Sequence, residues 1–169
     1  CRPDLPSTGL AAFAARSGSA PAPQPAALPD VIETPFYSAR VDPKTGALAS
    51  LRVKPSGEEL LGGPANVIVA ETVKGMQVSA EHFMHPRPKR RLLGSTADHP
   101  AMVSVLRGPL TTRVRVTSDF HAGSKVERET IFHRDHPRID FATRVDLRAD
   151  DVLVTADFPL AGDVVERSR

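Results

Sequence analysis

Three runs in the second half of the chain alternate apolar and polar residues with a period of two. This rhythm restricts the fold more than any other feature of the sequence. In "LTTRVRVTSDF" (residues 110–120) Thr112, Val114, Val116, Ser118 and Phe120 share one side, and Arg113, Arg115, Thr117 and Asp119 share the other. Successive side chains of a strand point to opposite faces, so such a run is an antiparallel strand with one face on a core and one in water. "RIDFATRVDLR" (138–148) repeats the pattern, with Ile139, Phe141, Thr143, Val145 and Leu147 inward and Asp140, Arg144, Asp146 and Arg148 outward. "DVLVTADFPL" (151–160) places Val152, Val154, Ala156 and Phe158 together. Earlier, "VIETPFYSARVD" (31–42) reads as a strand running into "PKTG", where Pro43 presets φ and Gly46 accepts a positive φ. "ALASLRV" follows, "KPSGEEL" supplies the next turn, and the apolar run "ANVIVAETV" (65–73) reads as a buried strand. No window carries the i, i+3, i+4, i+7 stripe of an amphipathic helix. Strands spaced about 8–14 residues apart by Gly and Pro turns predict an all-β chain, an antiparallel β-sandwich.

At 169 residues the chain has the size of one ordinary domain and can bury roughly 70% of its unfolded surface. Residues 17–29, "SGSAPAPQPAALP", lack an apolar period and read as a Pro/Ala-rich linker or surface crossing. The preceding residues 1–16, including "LPSTGLAAFAAR", read as the end of an earlier β segment, and 30–169 as the main domain. The formal net charge of +2, from 22 basic and 20 acidic residues, does not argue for nucleic acid as a partner. No apolar run reaches the roughly 18 residues of a membrane-spanning helix. Cys1 is the only cysteine, so a disulfide within the chain is excluded. A chain opening on Cys is read as a fragment boundary. The alternative is a mature surface lipoprotein acylated on Cys1 and tethered through the linker.

Candidate chemistry centres on "HRDHPRID" (133–140), with two histidines and two aspartates in eight residues. Six histidines are present: His82, His85, His99, His121, His133 and His136. The pairs His82/His85 and His133/His136 are spaced i, i+3, which converges on a helix but diverges on a strand. His85, His99 and His136 each precede a proline, which disfavours helix. On a strand only His133 and Asp135 share a face, and two ligands do not make a zinc site. The histidines are therefore expected at an exposed bend. "HPRPKRRLL", with Arg87, Lys89, Arg90 and Arg91, could serve as a phosphate patch, but it lacks interleaved aromatics and reads as a solvated, charge-guarded edge. Asp140, Asp146, Asp150, Asp151 and Asp157 could supply acid–base pairs. Alternation places Asp140 and Asp146 on the solvent face among Arg144 and Arg148, and cross-strand ion pairing is the expected role of these two. No catalytic, cofactor-binding or metal residue is assigned from these patterns.

Two segments resemble the C-terminal β domain of glycoside hydrolase family 38, the α-mannosidases. "IETPFYSARVDPKTGALASL" (Ile32–Leu51) and "GEELLGGPANVIV" (Gly57–Val69) are similar to the opening of that domain through Glu33, Asp42, Thr45, Gly46, Ser50, Leu51 and Asn66. "SKVERETIFHRDHPRIDFATRVDLRADDVLVTADFPL" (Ser124–Leu160) is similar to its core hairpins, and "LPSTGLAAFA" to the short strand that precedes it. The resemblance covers about Leu5 to Leu160, more loosely over 76–108. Leu147 and Arg148 depart from the family's usual Trp and acidic residue. The resemblance implies an incomplete β-supersandwich of the galactose-mutarotase-like type, within a polypeptide that also carries an α/β barrel and a helical bundle. It implies retaining, zinc-dependent hydrolysis of α-mannosides, with nucleophile and zinc ligands in the barrel and none in this chain. Missing later strands are expected to leave sheet edges and apolar faces uncovered. Two alternatives are a carbohydrate-binding module and a structural β module. No Trp and one Tyr argue against the stacking platforms of a carbohydrate-binding module.

Overall fold

The computed structural model describes residues 21–72 and 90–162. Among them every paired strand is antiparallel, and helix is limited to two short 3-10 turns. The strands are β1 (Gln24–Ala26), β2 (Ile32–Glu33), β3 (Tyr37–Val41), β4 (Leu48–Val53), β5 (Val67–Thr72), β6 (Arg91–Ser95), β7 (Ala101–Arg107), β8 (Thr111–Asp119), β9 (Lys125–His133), β10 (Ile139–Asp146) and β11 (Val152–Asp157). They form a five-stranded sheet in the order β1-β7-β8-β9-β10 and two three-stranded sheets, β11-β5-β6 and β2-β3-β4.

The alternation in residues 110–120 sets the large sheet. Thr112, Val114, Val116, Ser118 and Phe120 are all buried. They share their face with Val126, Arg128, Thr130 and Phe132 of β9 through the β8–β9 register. Two cores lie on this one face. Val105, Val114, Val116 and Phe132 pack with Ile32, Ala39, Val41, Leu48 and Leu51 from the β2-β3-β4 sheet. Phe120 and Val126 pack with Ile68 and Ala70 of β5, backed by Val145, Val152 and Val154. The large sheet thus forms one layer of a sandwich whose other layer is split into two small sheets. Each fully buried side chain such as Phe132 or Ile68 contributes about 1.5–3 kcal/mol. β5 is buried on both sides, because Val67 and Val69 pack with Ala47, as its unbroken apolar run predicts.

Three local expectations are revised. "VIETPFYSARVD" is not one strand. Pro35 cannot donate to a ladder, and Thr34 turns the chain by accepting from Phe36 N and Tyr37 N, so β2 folds back on β3 with Ile32 opposite Ala39. Part of the expected linker is a strand: β1 pairs with β7, Pro25 opposite Leu106, on the sheet edge where a proline's missing N–H is tolerated. Finally, β10 presents Ile139, Phe141, Thr143 and Val145 on the core side of the sheet, but Phe141 and Thr143 are exposed. The cause is position: β10 is the last strand of its sheet, and only its ends, Ile139 and Val145, pack on the two cores. Phe141 instead meets Phe158 edge-on at 4.9 Å, and Leu147 and Leu160 are also exposed. Residues 1–20, which include the expected preceding β segment, lie outside the described residues.

Candidate functional site

Two turns and the seam between the small sheets concentrate the polar chemistry. In the Asp42–Ala47 turn the Asp42 carboxylate accepts from Lys44 N at 2.9 Å and from Thr45 Oγ1 at 2.7 Å. The chain closes through Gly46 N to Asp42 O and Asp42 N to Ala47 O. The Lys44 amide first, and the Thr45 hydroxyl second, hold the Asp42 carboxyl below its ordinary pKa, since hydrogen bonds to the charged form favour it. Gly46 has φ +68°, and a Cβ there would stand 2.3 Å from Val116 Cγ1. Both the conformation and the space therefore require glycine.

Behind that turn lies Arg128, 2% exposed on the core face of β9. Its guanidinium donates to Thr45 O and Asn66 O, at 2.6 and 2.5 Å, joining the β3–β4 turn to the start of β5. No described carboxylate pairs with it, and its Nε and the Asn66 Oδ1 have no partner among the described residues. Burial lowers its pKa to about 10, so the side chain stays charged at neutral pH. Sequence alternation places Arg128 inward, yet charge alone assigns it to the surface, and the pattern "KVERETIF" (125–132) was the only available signal.

The second turn is "HRDHPRID". β9 ends at His133, β10 begins at Ile139, and Phe132 faces Ile139 across the hairpin. The loop is pinned at the sides: Tyr37 Oη donates to Pro137 O at 2.9 Å, and Arg134 N donates to Leu110 O. His133 Nε2 lies 2.8 Å from Asp140 Oδ2, and Arg138 Nε donates to Asp140 Oδ1 at 2.5 Å. His133 and then Arg138 hold the Asp140 carboxyl below its ordinary pKa. The two imidazoles stack, centroids 4.2 Å apart and planes tilted by 30°. His136 Nε2 is 3.8 Å from Asp135 Oδ1. One ligand atom each from His133, Asp135 and His136 falls within 4.8 Å of the other two.

This corrects the expectation that only His133 and Asp135 share a face. Residues 134–137 are a bend rather than a strand, so the period-two rule that would separate His133 from His136 does not apply to them. The acids are only partly paired as expected. Asp140 meets His133 across the β9–β10 hairpin and also Arg138 two residues away, whereas Asp146 pairs with Arg148 two residues away. The cross-strand ion pair on the outer face is Arg115 to Glu129 at 2.7 Å, with Arg113 nearby. Asp150, Asp151 and Asp157 are exposed. His99 and His121 sit at the two 3-10 turns, and His82, His85, Arg87 and Lys89 lie outside the described residues. Arg90 pairs with Glu71 at 3.5 Å, and Arg91 is exposed on β6. A groove of about 330 Å³ runs over Arg115, Glu127, Glu129 and Arg144 without an aromatic side chain in its lining. No described helix is long and apolar enough to cross a membrane.

The sequence model of the glycosyl hydrolases family 38 C-terminal domain matches residues 32–168. The chain belongs to glycosyl hydrolase family 38. The matched span begins where β2 begins and takes in both turns and Arg128. A family 38 C-terminal domain shares its polypeptide with other domains. No curated protein matches the chain.

Proposed function

We propose that this chain is the non-catalytic β domain of a family 38 α-mannosidase, an enzyme that hydrolyses terminal α-mannosyl linkages with retention. The observation carrying the reading is the family match over residues 32–168. In this reading the domain packs against an α/β barrel and a helical bundle of the same polypeptide. The barrel supplies the nucleophile and holds the zinc ion, which supplies Lewis-acid and substrate-positioning chemistry when bound. The acids here are held by neighbours: Asp42 within its turn, Asp140 by His133 and Arg138, Asp146 by Arg148. A retaining glycosidase needs two carboxyl groups about 5–5.5 Å apart across a sugar-sized cleft, and these partnerships are those of a scaffold.

The complete polypeptide is expected to hydrolyse an aryl α-mannoside, and the 169-residue chain alone to be inactive. Turnover by the isolated chain that co-purifies with it and disappears on metal chelation would overturn the non-catalytic assignment. A complete polypeptide that hydrolyses other glycosides but not α-mannosides would overturn the substrate.

A further inference from the structure

We infer that the β9–β10 corner is a binding site for one late first-row divalent cation of the zinc, copper or nickel type, ligated by His133, Asp135 and His136. Three observations support this. The first is convergence: the three candidate ligand atoms already lie within 4.8 Å of one another. Around a tetrahedral zinc with bonds of about 2.0–2.1 Å, ligand atoms stand about 3.4 Å apart. The Asp135–His136 separation of 3.8 Å is close to that value, and the remaining closure is a small movement of a bend.

The second observation is the support behind His133. Asp140 accepts at its Nε2, which leaves Nδ1 with the free lone pair. A carboxylate holding the far nitrogen of a histidine fixes the ligating tautomer and raises the ligand's basicity, the usual arrangement behind metal-bound imidazoles. Asp140 is itself fixed by Arg138. The third is the anchoring of the loop through Tyr37 to Pro137 and Leu110 to Arg134, which limits the entropy lost when the ligands close.

Two imidazoles and one carboxylate favour zinc, copper and nickel over magnesium or calcium, which demand oxygen donors. Three protein ligands leave at least one position for water. The corner is open: His133 retains 19% and His136 36% of its side-chain exposure, so an ion can enter without unfolding. Binding to the native state alone stabilises it by mass action, so the ion would staple the hairpin between β9 and β10.

The test uses the complete, untagged polypeptide, stripped of metal and titrated with Co²⁺, then with Zn²⁺ in competition. Bound equivalents are read by calorimetry and by the visible absorption of Co²⁺. The wild type is expected to take up one equivalent more than His133→Ala or His136→Gln, and zinc is expected to displace that equivalent. Asp140→Asn is expected to retain the equivalent but bind it about 10- to 100-fold more weakly, as loss of an outer carboxylate does. Zinc should raise the melting temperature of the wild type by more than that of His136→Gln. Equal stoichiometry in the wild type and both histidine variants, each confirmed folded by its melting transition, would overturn the site. Unchanged affinity in Asp140→Asn would overturn the supporting role of that carboxylate.

Discussion

The Asp42–Ala47 turn and the His133–Asp140 corner both reverse a hairpin, and each carries an aspartate with a lowered pKa. They are nevertheless specified in different ways. The first is dictated by the backbone: Gly46 sits at φ +68° against Val116, and Arg128 grips the Thr45 carbonyl from beneath. The second is dictated by side chains, through His133, Asp140, Arg138 and the Tyr37 hydroxyl. A turn defined by backbone space tolerates no change at its key residue. A turn defined by exposed side-chain pairs can lose one of them and keep its path.

Substitutions should expose that contrast in order of size. Gly46→Ala combines a positive φ, worth about 1–2 kcal/mol for a residue with a Cβ, with overpacking against Val116, worth about 1–3 kcal/mol. A loss of about 2–5 kcal/mol in denaturant unfolding is expected, and a loss under about 1 kcal/mol would show that the turn relaxes freely. Arg128→Met removes two hydrogen bonds from a charged donor, each worth about 1.5–3 kcal/mol, and leaves two carbonyls unpaired. Relief of the buried charge offsets part of this, so the net loss is expected near 2 kcal/mol, with a stabilised variant counting against the clamp. Asp42→Asn should cost about 1 kcal/mol at neutral pH through weaker hydrogen bonds.

The sign of the pH dependence follows from the lowered carboxyl. The stability contributed by Asp42 is fully present above its ordinary pKa of 3.8 and is lost as pH falls through the lower folded value. The gap between the wild type and Asp42→Asn should therefore close on acidification below about pH 4, and a gap that widens there would contradict the assignment. At the corner, Tyr37→Phe removes one exposed hydrogen bond to Pro137 and should cost about 0.5 kcal/mol. A cost matching that of Gly46→Ala would erase the distinction between the two turns.

The sequence carried the first turn openly. Proline, threonine and glycine at 43, 45 and 46 have turn chemistry of their own, and the alternation of 110–120 reports the buried face directly. β10 carries the same alternation, yet its middle is exposed, because period two distinguishes two faces but not whether a second layer covers one of them. β1 was hidden by Pro25, which removes a donor but not the ability to pair along an edge. The convergence of His133, Asp135 and His136 was hidden because strand geometry was extended three residues too far. Beyond His133 the chain bends, and the rule separating i from i+3 lapses. The family resemblance was legible because turn and strand signals recur in a fixed order through the matched span.

Arg128 also bears on the order in which the molecule assembles. Its two carbonyl partners lie 83 and 62 residues earlier in the chain, so both bonds wait for the closure of very long loops. Such non-local contacts slow folding, because loop entropy is lost before the contacts repay it. The β2-β3-β4 and β11-β5-β6 sheets gain the Arg128 brace only once β9 is in place beneath them. That clamp adds to contacts of short sequence separation that already cross the seam, the Leu48–Ala65 bridge and the packing of Ala47 on Val67 and Val69.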